Sequence, residues 1–316
     1  MLYRLVVACF VVASTLVTPP LAVAEDTKLT VLLDWFVNPN HAPLVVAAEK
    51  GYFADAGLDV TLVPPADPSA PPRLVAAGQA DIAISYQPQL HIQVAEGLPL
   101  TRIGTLVETP LNTLVVLAGG PLTSVADLKG KTVGFSVGGF EDALLGTMLT
   151  EAGLALDDVE LVNVNFALSP ALIAGRVDGV IGAFRNFELT QLKLEDHEGL
   201  AFYPEEHGVP VYDELIYVAR NGELDKPALR AFIEATERAV IWLTNHPEEG
   251  WATFLKAHPD LDDALNRQAW IDTLPRFAKR PAALDSRRYD RFAEFMRENG
   301  LIDDIVPVAD YAIELK

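Results

Sequence analysis

The sequence predicts an α/β protein of two similar lobes with a ligand cleft between them. Three observations lead there. Short apolar runs at 29–33, 58–63, 82–84 and 100–106 alternate with helical patterns, the rhythm of strands joined by crossover helices. A pattern of helix, glycine, two residues, aspartate and apolar strand occurs twice. It reads Ala77-Gly78-Gln79-Ala80-Asp81 before Ile82 and Ile84, then Ala174-Gly175-Arg176-Val177-Asp178 before Val180 and Ile181. The strand runs of both halves end in polar and aromatic loops, at the carboxyl ends where open α/β sheets hold ligands. A repeat this long marks two similar lobes rather than a short-period solenoid.

The first βαβ unit organises the rest. The run at 29–33 delivers Asp34 and Trp35 to a loop holding Asn38, Pro39, Asn40 and His41. Pro43 suits a first helical turn, where its missing N–H would be unpaired anyway. Val45, Val46, Ala47 and Ala48 continue an apolar helix, Gly51 and Gly57 punctuate its end, and 58–63 forms the next strand. One strand end therefore carries a carboxylate, an indole, two amides and an imidazole. A core tryptophan beside an ordinary Asn-Pro turn is the competing reading.

Downstream, a proline-rich loop at 64–72 precedes a short helix, and the strand 82–84 ends on Ser85, Tyr86 and Gln87. After the strand 100–106, the run 114–117 enters the second lobe. The strand 132–136 passes through Val137, Gly138, Gly139 and Phe140 into a helix beginning near Glu141. The Gly138-Gly139 turn offers backbone N–H groups to an anion, although it lacks a complete phosphate-loop motif. The second repeat strand ends on Phe184, Arg185, Asn186, Phe187 and Glu188. A strand at 215–219 returns to the first lobe, and the remainder reads as helices, with Asp225 capping one that has Pro227 in its first turn. Lobe I is expected over 25–112 and 210–316, lobe II over 113–209.

The 316 residues carry 44 acidic against 24 basic side chains, a net charge of −20. That balance argues against nucleic acid or an anionic membrane surface as partner, while leaving the local field of a pocket open. Residues 1–24 read as a cleaved secretory signal: Arg4, an apolar run, Pro19-Pro20, then the small-x-small pattern Ala22-Val23-Ala24. The run is short for a membrane span, which needs about 20 residues. Cys9, the sole cysteine, lies inside it and away from any lipobox, so the exported chain has no thiol chemistry. A cysteine-free exported protein suits a bacterial periplasm. None of the six histidines is paired at metal-ligand spacing, and no nucleophile elbow appears. Neither metal nor cofactor is expected. Rings, amides, a guanidinium and carboxylates remain, a set suited to gripping a flat polar ligand. The reading is a binder and not an enzyme.

Three stretches, LDWFVNPNHAPLVVAAEKGYFADAGLDV, GQADIAISYQPQ and VDGVIGAFRNFEL, resemble the substrate-binding proteins of ABC importers that capture thiamin pyrimidine precursors. Fungal hydroxymethylpyrimidine phosphate synthase belongs to the same superfamily. The resemblance covers most of residues 28–310. It implies a type II periplasmic-binding-protein fold whose lobes close over the ligand, a monomeric receptor, and an ABC permease in the inner membrane as partner. It also implies a formylated or free 4-amino-5-aminomethyl-2-methylpyrimidine as ligand.

Carried over by the same resemblance, Trp35 and Tyr86 are ring-stacking positions, Asn38 and His41 polar contacts, and Glu188 an acceptor for the exocyclic amine. Gly138, Gly139 and Glu141 lie in the loop where the synthase holds its ligand's phosphate, and Tyr212 where it has a cysteine-rich stretch. Asp34, Gln87, Arg185 and Asn186 complete the expected ligand set. His91 matches a histidine that the synthase uses as a reactant. The lysine four residues earlier is Gln87 here, so a pyridoxal phosphate Schiff base has no amine to form on. The alternatives are a synthase-like enzyme of thiamin biosynthesis, against which these departures count, and a receptor for another heterocycle such as riboflavin.

Overall fold

Ten strands pair into two five-stranded sheets in the computed structural model, which describes residues 26–315. The expected signal segment with Cys9 lies outside the described residues. The strands are β1 (Thr27–Leu32), β2 (Leu58–Val63), β3 (Ile82–Ser85), β4 (Leu100–Val107) and β5 (Asn112–Leu117). They continue as β6 (Thr132–Phe135), β7 (Glu160–Asn163), β8 (Gly179–Phe184), β9 (Gly199–Phe202) and β10 (Leu215–Arg220).

One sheet runs β2-β1-β3-β10-β4 and the other β7-β6-β8-β5-β9. In each, four strands run in one direction and only the fourth in order runs against them, pairing antiparallel on both sides. The fourth place goes to the strand that has just crossed from the opposite lobe: β10 in the first sheet, β5 in the second. The expected two α/β lobes are therefore present, and they share one strand order. The repeated aspartates have one physical role. Asp81 Oδ2 accepts the Thr30 N–H at 2.8 Å, and Asp178 Oδ2 accepts the Thr132 N–H at 2.9 Å. Each pins the start of a repeat strand to its parallel neighbour, where the short ladder leaves an amide to satisfy.

The two crossings run side by side and are tied together by a fully buried carboxylate. Glu214 Oε2 accepts the N–H of Leu111 at 2.5 Å and of Asn112 at 2.9 Å. Burial pushes this carboxyl up to about 7, against the pull of those two amides. Beyond β10 the chain is helical, and its last segment is held to lobe I by Arg102. That guanidinium is fully buried and donates to the carbonyls of Pro281, Ala282, Ala283 and Ile313.

Two details differ from the sequence reading. β9, Gly-Leu-Ala-Phe, was not foreseen, because four half-buried edge residues carry no alternation to read. Asp225 does not cap the helix Pro227–Asn245: Lys226 stands at that position in extended backbone, and no side chain caps the end. Proline at the first helical position already removes one orphan donor. No helix among the described residues is long and apolar enough to cross a membrane.

Candidate ligand-binding cleft

The strand ends of both lobes face one another across a narrow cavity. Lobe I contributes Asp34, Trp35, Asn38, Asn40 and Tyr86 to its wall. Lobe II contributes Glu141, Leu168, Gly182, Phe184, Phe187 and Glu188. No lysine or arginine lines it.

The lobe I wall is a hydrogen-bonded unit. His41 Nε2 lies 2.9 Å from Asp34 Oδ1, and the Tyr86 hydroxyl donates to Asp34 Oδ2 at 3.1 Å. The Asn38 N–H points at His41 Nδ1, 3.2 Å away, so Nδ1 is the acceptor and Nε2 carries the proton given to Asp34. Both Asp34 oxygens are thus engaged within the protein. Burial first, and the Asp34 charge second, push the Tyr86 phenol well above its ordinary value and keep it a donor. Asn38 is occupied in its own turn: its Oδ1 accepts the Asn40 N–H at 2.8 Å and its Nδ2 donates to the Phe36 carbonyl. That is the Asn-Pro turn of the competing reading, yet the turn also forms cavity wall.

Phenylalanines of lobe II meet the rings of lobe I. Trp35 packs edge-on against Phe166, with centroids 4.6 Å apart and planes at 70°. Tyr86 stacks on Phe140 at 4.7 Å and 23°. The sequence reading paired Trp35 with Tyr86 but did not find these partners, or Phe184 and Phe187 in the wall. A run of phenylalanines at strand ends looks like core, and only the closed lobes reveal the difference.

Lobe II presents two carboxylates built alike. Glu141 opens the helix Glu141–Glu151, and Glu188 opens the helix Glu188–Leu194. Each turns one oxygen back onto the preceding loop. Glu141 Oε2 accepts from the N–H groups of Ser136 at 2.7 Å and Val137 at 3.0 Å; Glu188 Oε2 accepts from that of Phe184 at 2.7 Å. Burial pushes Glu141 up to about 8 and Glu188 to about 7, opposed by those amide hydrogen bonds. Gly182, at φ +95°, leaves room for Glu141: a Cβ there would stand 2.4–2.6 Å from the carboxylate atoms. Any L side chain there would be strained by the backbone angle and would have to displace the carboxylate.

The remaining expected contacts lie off the cavity wall. His41 is fully buried behind Asp34. Gln87 is spent on structure, its Oε1 accepting the Asp213 N–H at 2.8 Å and its Nε2 facing His91 Nε2 at 3.3 Å. His91 is sealed among Tyr289, Phe292 and Tyr311, and burial holds it down to about 3, hence neutral. Gly138 and Gly139 are exposed; the Gly139 N–H donates to Asp142, and the amides of the loop before them already serve Glu141. The turn expected to hold an outside anion is thus filled by the chain's own acids. Arg185 faces away, in a two-pronged pair with Glu205 at 2.6 and 3.0 Å. Tyr212 is buried edge-on to Phe292. Asn186 is also buried, but it joins the lobes: its Nδ2 donates to Asn40 Oδ1 and Thr273 Oγ1, both at 2.7 Å. Asn40, absent from the expected set, is reached from sequence only by its place between Asn38 and His41.

A family model described as NMT1/THI5 like matches residues 38–250. A Haemophilus influenzae protein named for thiamine biosynthesis is 52% identical over 97% of this chain and 97% of its own. The formylaminopyrimidine-binding protein of Halalkalibacterium halodurans is 39% identical over 77% of this chain and 74% of its own. Among solved structures, the alkanesulfonate-binding protein SsuA from Xanthomonas axonopodis, bound to MOPS, superposes with a TM-score of 0.70. At 19% identity over 92% of this chain and 99% of that one, it speaks for the periplasmic-binding-protein fold.

Proposed function

For a chain that belongs to the NMT1/THI5-like family, we propose the role of a periplasmic solute receptor that binds a thiamin pyrimidine precursor and delivers it to an ABC permease. The ligand is N-formyl-4-amino-5-aminomethyl-2-methylpyrimidine or a close analogue. One observation carries the reading: a cleft between the lobes whose wall combines Trp35 and Tyr86 with Glu188. A flat heterocycle has faces for the rings and an exocyclic amine for the acid. The likeness to a formylaminopyrimidine-binding protein over three quarters of the chain supports the same ligand class. Asp34, Asn38 and Asn40 line that ligand, while His41, Gln87, Arg185, Asn186 and Tyr212 act behind the wall or between the lobes. We assign lobe I to 25–112 and 210–316 and lobe II to 113–209, working as a monomer.

Binding without turnover follows from the same residues. Gln87 has no amine for a Schiff base, and the imidazole of His91 is walled off from the cleft by Gln87, Tyr289, Phe292 and Tyr311. Native mass spectrometry of protein released from the periplasm without refolding, followed by calorimetric titration, tests the role. A bound mass matching the pyrimidine supports it. Absence of any heat with the formylated and free aminopyrimidines, in protein shown to be folded and unliganded, would falsify it.

A further inference from the structure

Glu141, which the ring-and-amine reading does not use, is arranged like Glu188, which it does. Each is the first residue of a helix, is more than nine-tenths buried, and commits Oε2 to backbone amides of the loop before it. Neither Oε1 receives a hydrogen bond from the described residues, and both residues line the cavity. A helix N-terminus ordinarily draws an anion from outside, through its free N–H groups and the positive end of its dipole. Here the Ser136 and Val137 amides leading into the Glu141–Glu151 helix are already taken by the helix's own first residue. The glycine at 182, whose Cβ would collide with that carboxylate, maintains the space it occupies.

We propose that Glu141 is the specificity determinant for ligand charge. It occupies the anion position of the cleft, so that the site rejects heterocycles carrying phosphate, sulfonate or carboxylate and favours those presenting an ammonium or neutral N–H donor there. The proposal rests on the pyrimidine reading above and deepens it. Glu188 receives the ring amine, and Glu141 receives a second donor, on the neighbouring ring substituent. The wall supplies nothing to compensate an anion. It contains three carboxylates and no basic side chain, and both oxygens of the third, Asp34, are held by His41 and Tyr86. Once the Glu141 carboxyl is ionised, above about pH 8, an anionic substituent beside it would face a like charge in a site sheltered from water, where charges are screened least.

The test uses three ligands on one ring: 4-amino-2-methylpyrimidine carrying 5-hydroxymethyl, 5-aminomethyl, or the phosphate ester of the alcohol. Titrations are run at about pH 8.5, above the value to which burial raises the Glu141 carboxyl. The alcohol and the amine are nearly isosteric, so charge is separated from size. The intact protein is expected to bind the amine at least tenfold more tightly than the alcohol, and the phosphate ester at least a hundredfold more weakly. Glu141→Gln preserves the shape and is expected to bring amine and alcohol within about threefold of each other. Equal binding of alcohol and phosphate ester by the parent protein overturns the proposal whether or not the variant folds. So does a variant that binds the alcohol normally and keeps the full preference for the amine. If none of the three binds the parent, the pyrimidine reading itself fails.

Discussion

Asn186 of lobe II donates its side-chain N–H to the Asn40 side-chain carbonyl oxygen of lobe I at 2.7 Å, in a buried pair one residue beyond Arg185, whose N–H bonds the Leu111 carbonyl at the first crossing. Thr273 accepts from the same amide and donates to Asn40 at 3.2 Å, so three side chains from three segments close a small network between the lobes. Buried hydrogen bonds of this kind net about 0.5–1.5 kcal/mol each, and a partner left unpaired costs more.

The first prediction follows from that latch. Asn186→Ala removes both bonds at a residue that does not itself line the cavity, although its partner Asn40 does. It should weaken ligand binding about tenfold, or ~1.4 kcal/mol, mainly by speeding dissociation from the closed form. Stopped-flow release rates and small-angle scattering of the liganded protein report on it. Unchanged release with unchanged scattering would mean that the latch does not hold the lobes.

Trp35 supplies the face for the ring. Trp35→Ala should weaken pyrimidine binding by at least about tenfold, since stacking contributes about 0.5–1.5 kcal/mol beyond the apolar area lost at ~25 cal/mol per Å². Trp35→Phe should cost less because a ring remains to meet Phe166 and the ligand. Calorimetry of the two variants decides it; a Trp35→Ala protein that folds and binds as the parent would reduce Trp35 to part of the packing.

Glu188 lines the cleft, its Oε2 holding the Phe184 amide and its Oε1 receiving no hydrogen bond from the described residues. Glu188→Gln should therefore penalise 4-amino pyrimidines more than 4-oxo analogues, by about fivefold or greater in the ratio, because a carboxylate–donor bond is stronger than its neutral counterpart. Competition titrations with the two ligand types measure that ratio directly. An equal loss for both would remove the amine contact.

Stability should fall as the pH rises from mildly acidic to mildly alkaline. Burial raises Glu141 to about 8 and both Glu188 and Glu214 to about 7. A carboxyl with a raised value in the fold keeps its proton where the unfolded chain has lost it. Its contribution is complete below the unfolded value of about 4.5 and is lost as the pH passes 7 to 8. His91 opposes this at the acid end. Held down to about 3, it refuses a proton that the unfolded chain accepts below about 6.5. Three carboxyls outweigh one imidazole down to about 4.5, so the ligand-free protein should melt highest near pH 5 and several degrees lower at pH 8. Differential scanning calorimetry across that range checks the sign, and Glu214→Gln should flatten the slope.

The linear chain determined the lobes and the address of the cleft. Apolar runs of strand length mark all five strands of the first sheet, and the Gly-x-x-Asp pattern marks the repeat, because a strand start needs an acceptor for a bare amide wherever it occurs. Asp34, Trp35, Asn38, Tyr86, Glu141 and Glu188 could be read as strand-end residues, and all six stand on the cavity wall. Tertiary structure decided the function of each polar side chain at those ends. Arg185 and Glu188 are three residues apart in one loop, yet one turns out to Glu205 and the other turns in. Gln87 follows Tyr86 directly and is consumed by Asp213 and His91. The contacts of the phenylalanines at 140 and 166, and the Asn186–Asn40 latch, exist only where the two lobes meet. Local periodicity fixes which face of a strand or helix a residue occupies. The angle at which the lobes close depends on packing between segments more than a hundred residues apart, and no local pattern carries that information.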